Sequence, residues 1–381
     1  MGLVSQWILL RLLEIHPPLP WNALLPGLGI FGAAFLLSWA AELAQLEMPQ
    51  AMALAILALI AVLPEYAVSI YFAWTAGKNP SYIPYVTANM TGANRLLIGL
   101  GWPVVLFAYW LCTRKRQILL EPAQGIEIVT LLVATLYSFL IPLKGTLSLM
   151  DTGVLLALFG LYMICASKAE HVEPELRGPS EWMATFRLPL RRLAMASLFL
   201  LAGLTIFVAA KPFAEGLLEL GRRWGMEEFL LVQWLAPLAS ESPEFVVAIL
   251  FAIHSAPGAS FGTLVSSKVN QWTLLVGMLP LAYCLSAGHW GAMQLDSRQI
   301  EEVLLTSAQS LFAVAVLSNF SFDFWEALSL LILFGLQLMM PSPAVRYGFA
   351  VLYILLTLFL LFSRPKRRQA VWYLLTRVWR P

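Results

Sequence analysis

Charge is scarce in this chain: Asp, Glu, Lys and Arg make up 12% of its 381 residues, while 60% belong to the hydrophobic set. A water-soluble domain carries about 25% charged residues, so water is not the main solvent here. Cysteine is also rare. Cys112, Cys165 and Cys284 stand at or near expected helix ends without paired spacing, which argues against a disulfide framework or a zinc site. His16, His171, His254 and His289 are scattered in or near loops without metal-ligand spacing. No His-Glu-x-x-His, phosphate loop, dinucleotide fingerprint or catalytic triad occurs, so no enzyme class is indicated. The short apolar stretch within residues 1–20 is interrupted by Arg11 and lacks a small-residue cleavage site, so it reads as an interfacial segment and not as a signal peptide.

Long apolar runs, by contrast, recur from end to end. A helix crossing a ~30 Å hydrocarbon core needs roughly 20 residues. Such runs fall at 22–47, 49–76, 83–112, 125–143, 147–167, 193–217, 226–253, 258–284, 301–320, 322–341 and 343–363, about eleven in all. Residues 351–362 are continuously apolar, unlike the alternating segments of a membrane β-barrel, and only helices remain as spanning structures. The expected fold is an all-α polytopic membrane protein.

Basic residues divide unevenly between the two sides of these spans. Arg114, Lys115, Arg116, the loop with Lys168, Arg177, Arg187, Arg191 and Arg192, and a tail with Arg364, Lys366, Arg367, Arg368, Arg377 and Arg380 share one side. The other takes Arg11, Lys78, Lys144, Arg222, Arg223, Arg298 and Arg346. By the positive-inside rule the first side is cytoplasmic, with the N-terminus outside, the C-terminus inside, and the plasma membrane as the expected location. The tail, interleaved with Trp372, Tyr373 and Trp379, reads as an amphipathic segment on anionic lipid, and a nucleic-acid role is remote. Trp21, Trp102, Trp110, Trp182 and Trp224 read as interface anchors.

The loop 168–192 separates five spans from the next five. Because five is odd, the two halves enter the membrane in opposite directions, which is the arithmetic of an inverted repeat. The expected organisation is an interfacial segment 1–21, a first repeat 22–167, the connecting loop, a second repeat 193–341, one additional C-terminal helix 342–363 and a basic tail 364–381. Sequence supports the repeat: Leu63-Pro64-Glu65-Tyr66-Ala67-Val68 aligns with Ser242-Pro243-Glu244-Phe245-Val246-Val247, and Phe72-Ala73 with Phe251-Ala252. Each segment is followed by a turn and then by a span with a small, polar start.

An ionised side chain at mid-membrane costs about 2.5–3.5 kcal/mol on insertion scales, so Glu65, Glu241, Glu244, Arg95 and Lys268 are expected to converge on one another or on an ion. Each Pro-Glu proline is expected to break its helix and free carbonyl oxygens beside the carboxylate. Ser240, Glu241 and Glu244 share one face at i, i+1 and i+4, as do Ser267 and Gln271 at i, i+4. Such hard oxygen donors suit Na⁺, Ca²⁺ or a proton relay. Lys211 with Glu215 reads as an interfacial pair, and Asn89, Asn94 and Asn270 as interhelical hydrogen-bond partners or ligands.

Ala210-Lys211-Pro212-Phe213-Ala214-Glu215, Leu220-Gly221 and the stretch from Ala236 through Ser240-Glu241-Ser242-Pro243-Glu244-Phe245 resemble the second repeat motif of the cation/calcium exchanger superfamily, of sodium/calcium exchanger type. That motif has the core Gly-Thr-Ser-x-Pro-Glu, and Pro64-Glu65 is similar to its first-repeat counterpart. The resemblance implies a secondary-active antiporter of Na⁺, Ca²⁺ or H⁺ working by alternating access, without a cofactor and with small cations and the bilayer as its partners. It further implies that Glu65 and Glu244 are the central carboxylates and that Ser240, Ser267 and Gln271 sit at ligand positions. The sequence departs from the family at Ile60-Ala61, at Glu241 and at Ser266-Ser267-Lys268. In the first half two registers compete for the ligand positions, Ala93 with Leu97 or Thr91 with Arg95; the second is preferred because it turns polar residues to the core. Three carboxylates and two cations leave about −1, which favours a monovalent ion or proton over Ca²⁺. The alternative is a non-transporting structural or sensory relative whose ion site Lys268 or Arg95 neutralises.

Overall fold

The computed structural model of the chain describes residues 2–15, 17–46, 63–167, 176, 178–254, 257–340, 342–364, 367–369 and 372. In chain order its elements are α1 (Gly2–Leu12), α2 (Trp21–Gln45), α3 (Leu63–Lys78), α4 (Ile83–Leu96), a first π segment (Leu97–Gly101), α5 (Trp102–Thr113), β1 (Gln117–Leu119), α6 (Gly125–Ser138), α7 (Leu140–Lys144), β2 (Thr146–Leu147) and α8 (Leu149–Ala166). There follow α9 (Pro179–Ala184), α10 (Leu188–Trp224), α11 (Glu228–His254), α12 (Pro257–Asn270), a second π segment (Gln271–Leu275), α13 (Val276–Ala287), β3 (Met293–Gln294), α14 (Ser297–Leu317), β4 (Ser321–Asp323), α15 (Phe324–Met339) and α16 (Pro343–Ser363). Among the described residues seven helical stretches are long and apolar enough to cross a membrane: Trp21–Ala44, Pro80–Thr113, Gly125–Lys144, Leu149–Ala166, Leu188–Trp224, Ser297–Leu317 and Pro343–Ser363. The four other expected spans are helical too, as α3, α11, the stretch 257–287 and the shorter apolar α15; the start of the span expected at 49–76 lies outside the described residues.

Local chemistry sets the helix ends. Asp296 accepts from the Gln299 amide at 2.9 Å to open α14, and Asp323 with Glu326 forms a reciprocal capping box at the start of α15. Gly225 and Gly288 close α10 and α13 in the left-handed region, at φ +63° and +71°, where a Cβ would be strained.

The chain forms two compact units, Met1–Phe72 with Ala166–Pro243 and Ala73–Cys165 with Glu244–Pro381. It passes from one to the other within α3 and within α11, the helices that carry Glu65 and Glu244.

The first unit is built on α2 and α10, the opening spans of the two repeats. Ala33, Leu36, Ala40 and Leu43 of α2 are buried with Leu198, Ala202 and Ile206 of α10. Small residues bring the backbones close: a Cβ on Gly216 would lie 2.8 Å from both Ala23 Cα and Asn22 O. The segment expected to be interfacial forms α1, whose Val4 and Trp7 are buried and rest on Gly32 and Gly29 of α2.

The second unit has an internal two-fold plan. Each half contributes a helix, a π segment, a second helix and two short strands, and the strands pair crosswise: β1 runs antiparallel to β4, with Ile118 opposite Phe322, and β2 runs antiparallel to β3, with Leu147 opposite Met293. Ser138 at the end of α6 donates to Ser307 of α14 at 2.7 Å. Trp102, expected as an interface anchor, is instead fully buried against Phe261 and Phe322. It opens α5 directly after a π segment, at mid-span, and so meets protein instead of headgroups. Arg367, expected to lie with the basic tail on lipid, is buried, donates to the Ala315 and Val316 carbonyls at 2.9 and 2.6 Å at the C-terminal end of α14, and pairs with Glu326.

Candidate ion site

The two π segments fix the register of the repeat. In each half a 14-residue α-helix leads into five π-helical residues and then a 12-residue α-helix. A π turn accommodates one extra residue in the helical ladder and often marks a functional site. Superposing the two on these segments matches Leu97 to Gln271, Ala93 to Ser267 and Asn94 to Lys268. The preferred register of Thr91 with Arg95 is therefore corrected: Ala93 and Leu97 are the first-half counterparts of Ser267 and Gln271. Counting onward from Pro-Glu misleads, because the first half has the longer connection, with a 3₁₀ turn at Pro80–Tyr82.

In the first unit Glu65 is buried at 2% exposure and Glu241 likewise, as is Ser240. The Ser240 hydroxyl donates to the Ala236 and Pro237 carbonyls at 3.1 and 3.3 Å, which leaves its lone pairs free to accept. The expected break at the second Pro-Glu is absent. Helix α11 is continuous from Glu228 through Pro237 and Pro243 to His254, so losing a single donor at each proline does not interrupt it. Tyr71 donates to Glu215 at 2.9 Å, and Lys211 approaches Glu215 at 3.9 Å as the exposed i, i+4 pair expected.

In the second unit Ser267 donates to Glu244 at 2.8 Å, which ties the carboxylate of α11 to α12. Gln271 is buried in the π segment of the same span. Lys268 is fully buried; its ammonium donates to Asn94 Oδ1 at 2.5 Å and to the Asn94 carbonyl at 3.3 Å, and lies 4.5 Å from the centre of the Trp272 ring. Asn94 and Lys268 are equivalent positions of the repeat, so their contact lies where the unit's two-fold relation brings like positions together. Thr91 donates to the Thr87 and Ala88 carbonyls of its own helix, at 2.7 and 3.3 Å.

Arg95 has partners that sequence reasoning missed. It is fully buried and bonded to Glu302 and Gln337. Arg346, assigned from sequence to the outer side, is buried too, and pairs with Glu301 at 2.8 Å and with Glu302 at 3.9 Å. This network belongs to α4, α14, α15 and α16. The available signal was two adjacent acids, Glu301 and Glu302, at the start of an apolar span with Arg346 at the start of another; reading each as a span end concealed it. A second missed group joins Glu127, Tyr162 and Ser266: Tyr162 Oη lies 2.7 Å from Ser266 Oγ and donates to Glu127 at 3.5 Å.

A family model described as sodium/calcium exchanger protein matches residues 21–168 and 195–342. The chain is 46% identical to a protein whose structure is described as the H⁺/Ca²⁺ exchanger CAX, with a TM-score of 0.95 over 99% of this chain and 95% of that one. It shares the fold of native YfkE, at 14% identity and a TM-score of 0.63 over 91% and 97%, and of the sodium-calcium exchanger NCX_Mj, at 16% and 0.52 over 83% and 98%. No curated protein sequence matches.

Proposed function

Because this chain belongs to the sodium/calcium exchanger family, an integral membrane protein and a cation antiporter, we propose that it exchanges Ca²⁺ for H⁺ by alternating access, with Glu65 and Glu244 as the ion-binding carboxylates. The observation that carries this reading is the hydrogen bond of 2.8 Å from Ser267 to Glu244, a carboxylate and a hydroxyl from consecutive helices of one repeat. Hard oxygens of this kind suit Ca²⁺, and a carboxylate that releases Ca²⁺ can take up a proton in its place. The similarity to an H⁺/Ca²⁺ exchanger along almost the whole chain supports the same pair of ions.

The charge count changes accordingly. Glu302 engages Arg95, which removes one cation from the sum. Glu65, Glu241 and Glu244 against Lys268 leave about −2, and the argument against a divalent ion loses its force. Ser240, Ser267 and Gln271 supply the neutral oxygens in this reading, while Thr91 and Arg95 fall outside it. The proposed orientation keeps the N-terminus outside and the C-terminus in the cytoplasm of a cell with the protein in its plasma membrane, as the distribution of basic residues favours.

Purified protein in liposomes loaded with a pH-sensitive dye tests this. An inward Ca²⁺ gradient is expected to drive H⁺ outward, and Glu65→Gln or Glu244→Gln to abolish the response. No coupled H⁺ movement in the wild-type protein, with Ca²⁺ bound or unbound, would favour a non-transporting relative in which Lys268 neutralises the site.

A further inference from the structure

Three elements of the second unit converge on a carboxylate that the exchange described above does not use. Glu127 stands in the first turn of α6; one oxygen accepts from Tyr162 of α8, and the other, Oε2, is buried with no hydrogen-bond partner among the described residues. Tyr162 is 4% exposed, and its hydroxyl is 2.7 Å from Ser266 of α12. The next residue, Ser267, holds Glu244. The start of α6 is fixed against α12 by Gln124, which donates to the Gly258 carbonyl at 3.0 Å. An apolar membrane helix gains nothing by burying half of a carboxylate without a donor, since an unmet buried acceptor costs about 1–3 kcal/mol. A bound proton meets that need, because a protonated carboxyl is a donor as well as an acceptor.

We propose that Glu127, Tyr162 and Ser266 form a proton-loading path on the cytoplasmic side of the Glu244–Ser267 pair. This rests on the reading of the chain as a Ca²⁺/H⁺ exchanger and on its orientation: α6 begins, and α8 ends, on the side assigned to the cytoplasm. Glu127 takes a proton from that side. It gives the proton to Tyr162 Oη as Tyr162 passes its own hydroxyl proton to Ser266 Oγ, and Ser266 releases its own to a water molecule that passes a proton on to the Glu244 carboxylate. Each hydroxyl ends with one hydrogen as before, one proton has moved, and Glu127 is again a carboxylate; reversal carries a proton out. The charged groups on the neighbouring helices are engaged elsewhere, Lys268 of α12 with Asn94, and Glu301 and Glu302 of α14 with Arg346 and Arg95. Tyr162 is the titratable group in hydrogen-bond contact with Glu127.

The test is Ca²⁺ uptake into proteoliposomes driven by an imposed pH gradient, alongside equilibrium binding of ⁴⁵Ca²⁺ to the full-length protein at fixed pH. Glu127→Gln is expected to slow coupled uptake about tenfold or more, and Tyr162→Phe to slow it in the same direction, with Ca²⁺ binding kept within about twofold. Glu127→Asp, which retains an acid, is expected to recover much of the rate and to shift its pH profile. Wild-type rates and pH profiles in Glu127→Gln and Tyr162→Phe overturn the path. Loss of Ca²⁺ binding in Glu127→Gln also overturns it, since Glu127 then serves the cation site itself. Absence of any H⁺ coupling in the wild-type protein defeats the exchanger reading first, and is distinguishable because no variant is needed to see it.

Discussion

Replacing Arg95 separates a structural cation from an ion-site cation. Its side chain is fully buried and bonded to Glu302, so Arg95→Ala takes the nearer of two arginines from a buried carboxylate. Breaking a buried pair costs about 3–5 kcal/mol. The geometry sets where in that range each variant falls. Glu302 retains Arg346 at 3.9 Å, and unit charges at that separation attract by roughly 4 kcal/mol at an effective dielectric of 20, so Arg95→Ala is expected near the lower bound. Glu302→Ala removes a carboxylate from both Arg95 and Arg346, so it is expected near the upper bound. Replacing the pair together, as Arg95→Met with Glu302→Leu, removes both charges and is expected to return stability to within about 1 kcal/mol of wild type. Thermal unfolding of the purified protein in detergent reads this directly, with each single variant lowered by roughly 10 °C, Glu302→Ala the more so, and the double variant recovered. An Arg95→Ala protein that melts at the wild-type temperature while its Ca²⁺ affinity rises would refute the assignment and return Arg95 to the ion site.

Lys268→Met removes a buried ammonium that Asn94 now accepts, and the loss of like-charge repulsion is expected to raise Ca²⁺ affinity by a factor on the order of ten, measured by ⁴⁵Ca²⁺ binding. Gly216→Ala sets a methyl group 2.8 Å from the backbone of Ala23 and Asn22, and the forced separation of α2 from α10 is expected to cost about 1–3 kcal/mol in a thermal melt. Arg367→Ala leaves the Ala315 and Val316 carbonyls and Glu326 without their buried donor; a loss of about 2–4 kcal/mol is expected in the same measurement, whereas Arg368→Ala, at an exposed position, is expected to change it by less than about 0.5 kcal/mol.

The helices were legible because lipid leaves the backbone few options. Continuous apolar runs could only be spans, and both Pro-Glu segments fell on helices that stand in corresponding places of the two repeats. What stayed hidden was register and partnership. The π segments at Leu97 and Gln271 carry no compositional mark, yet they decide that Ala93, and not Thr91, corresponds to Ser267. Hydropathy is likewise blind to which acid meets which base: Glu302 and Arg346 look like span ends in sequence, and only the packing of α4 against α14 and of α14 against α16 makes them partners of Arg95 and of each other. Ser267 and Glu244 were singled out separately, by helical spacing and family resemblance, and their contact is seen only in the packing; Glu127 with Tyr162 and Ser266 required three helices to be placed together.

The central claim is that one carboxylate from each repeat carries the exchanged ions. Its most direct measurement is ⁴⁵Ca²⁺ flux in proteoliposomes under a pH gradient of either sign, for the wild-type protein and for Glu65→Gln and Glu244→Gln separately. The account predicts that reversing the pH gradient reverses Ca²⁺ movement and that either single variant abolishes it. Robust, pH-driven Ca²⁺ movement surviving in either variant would contradict it.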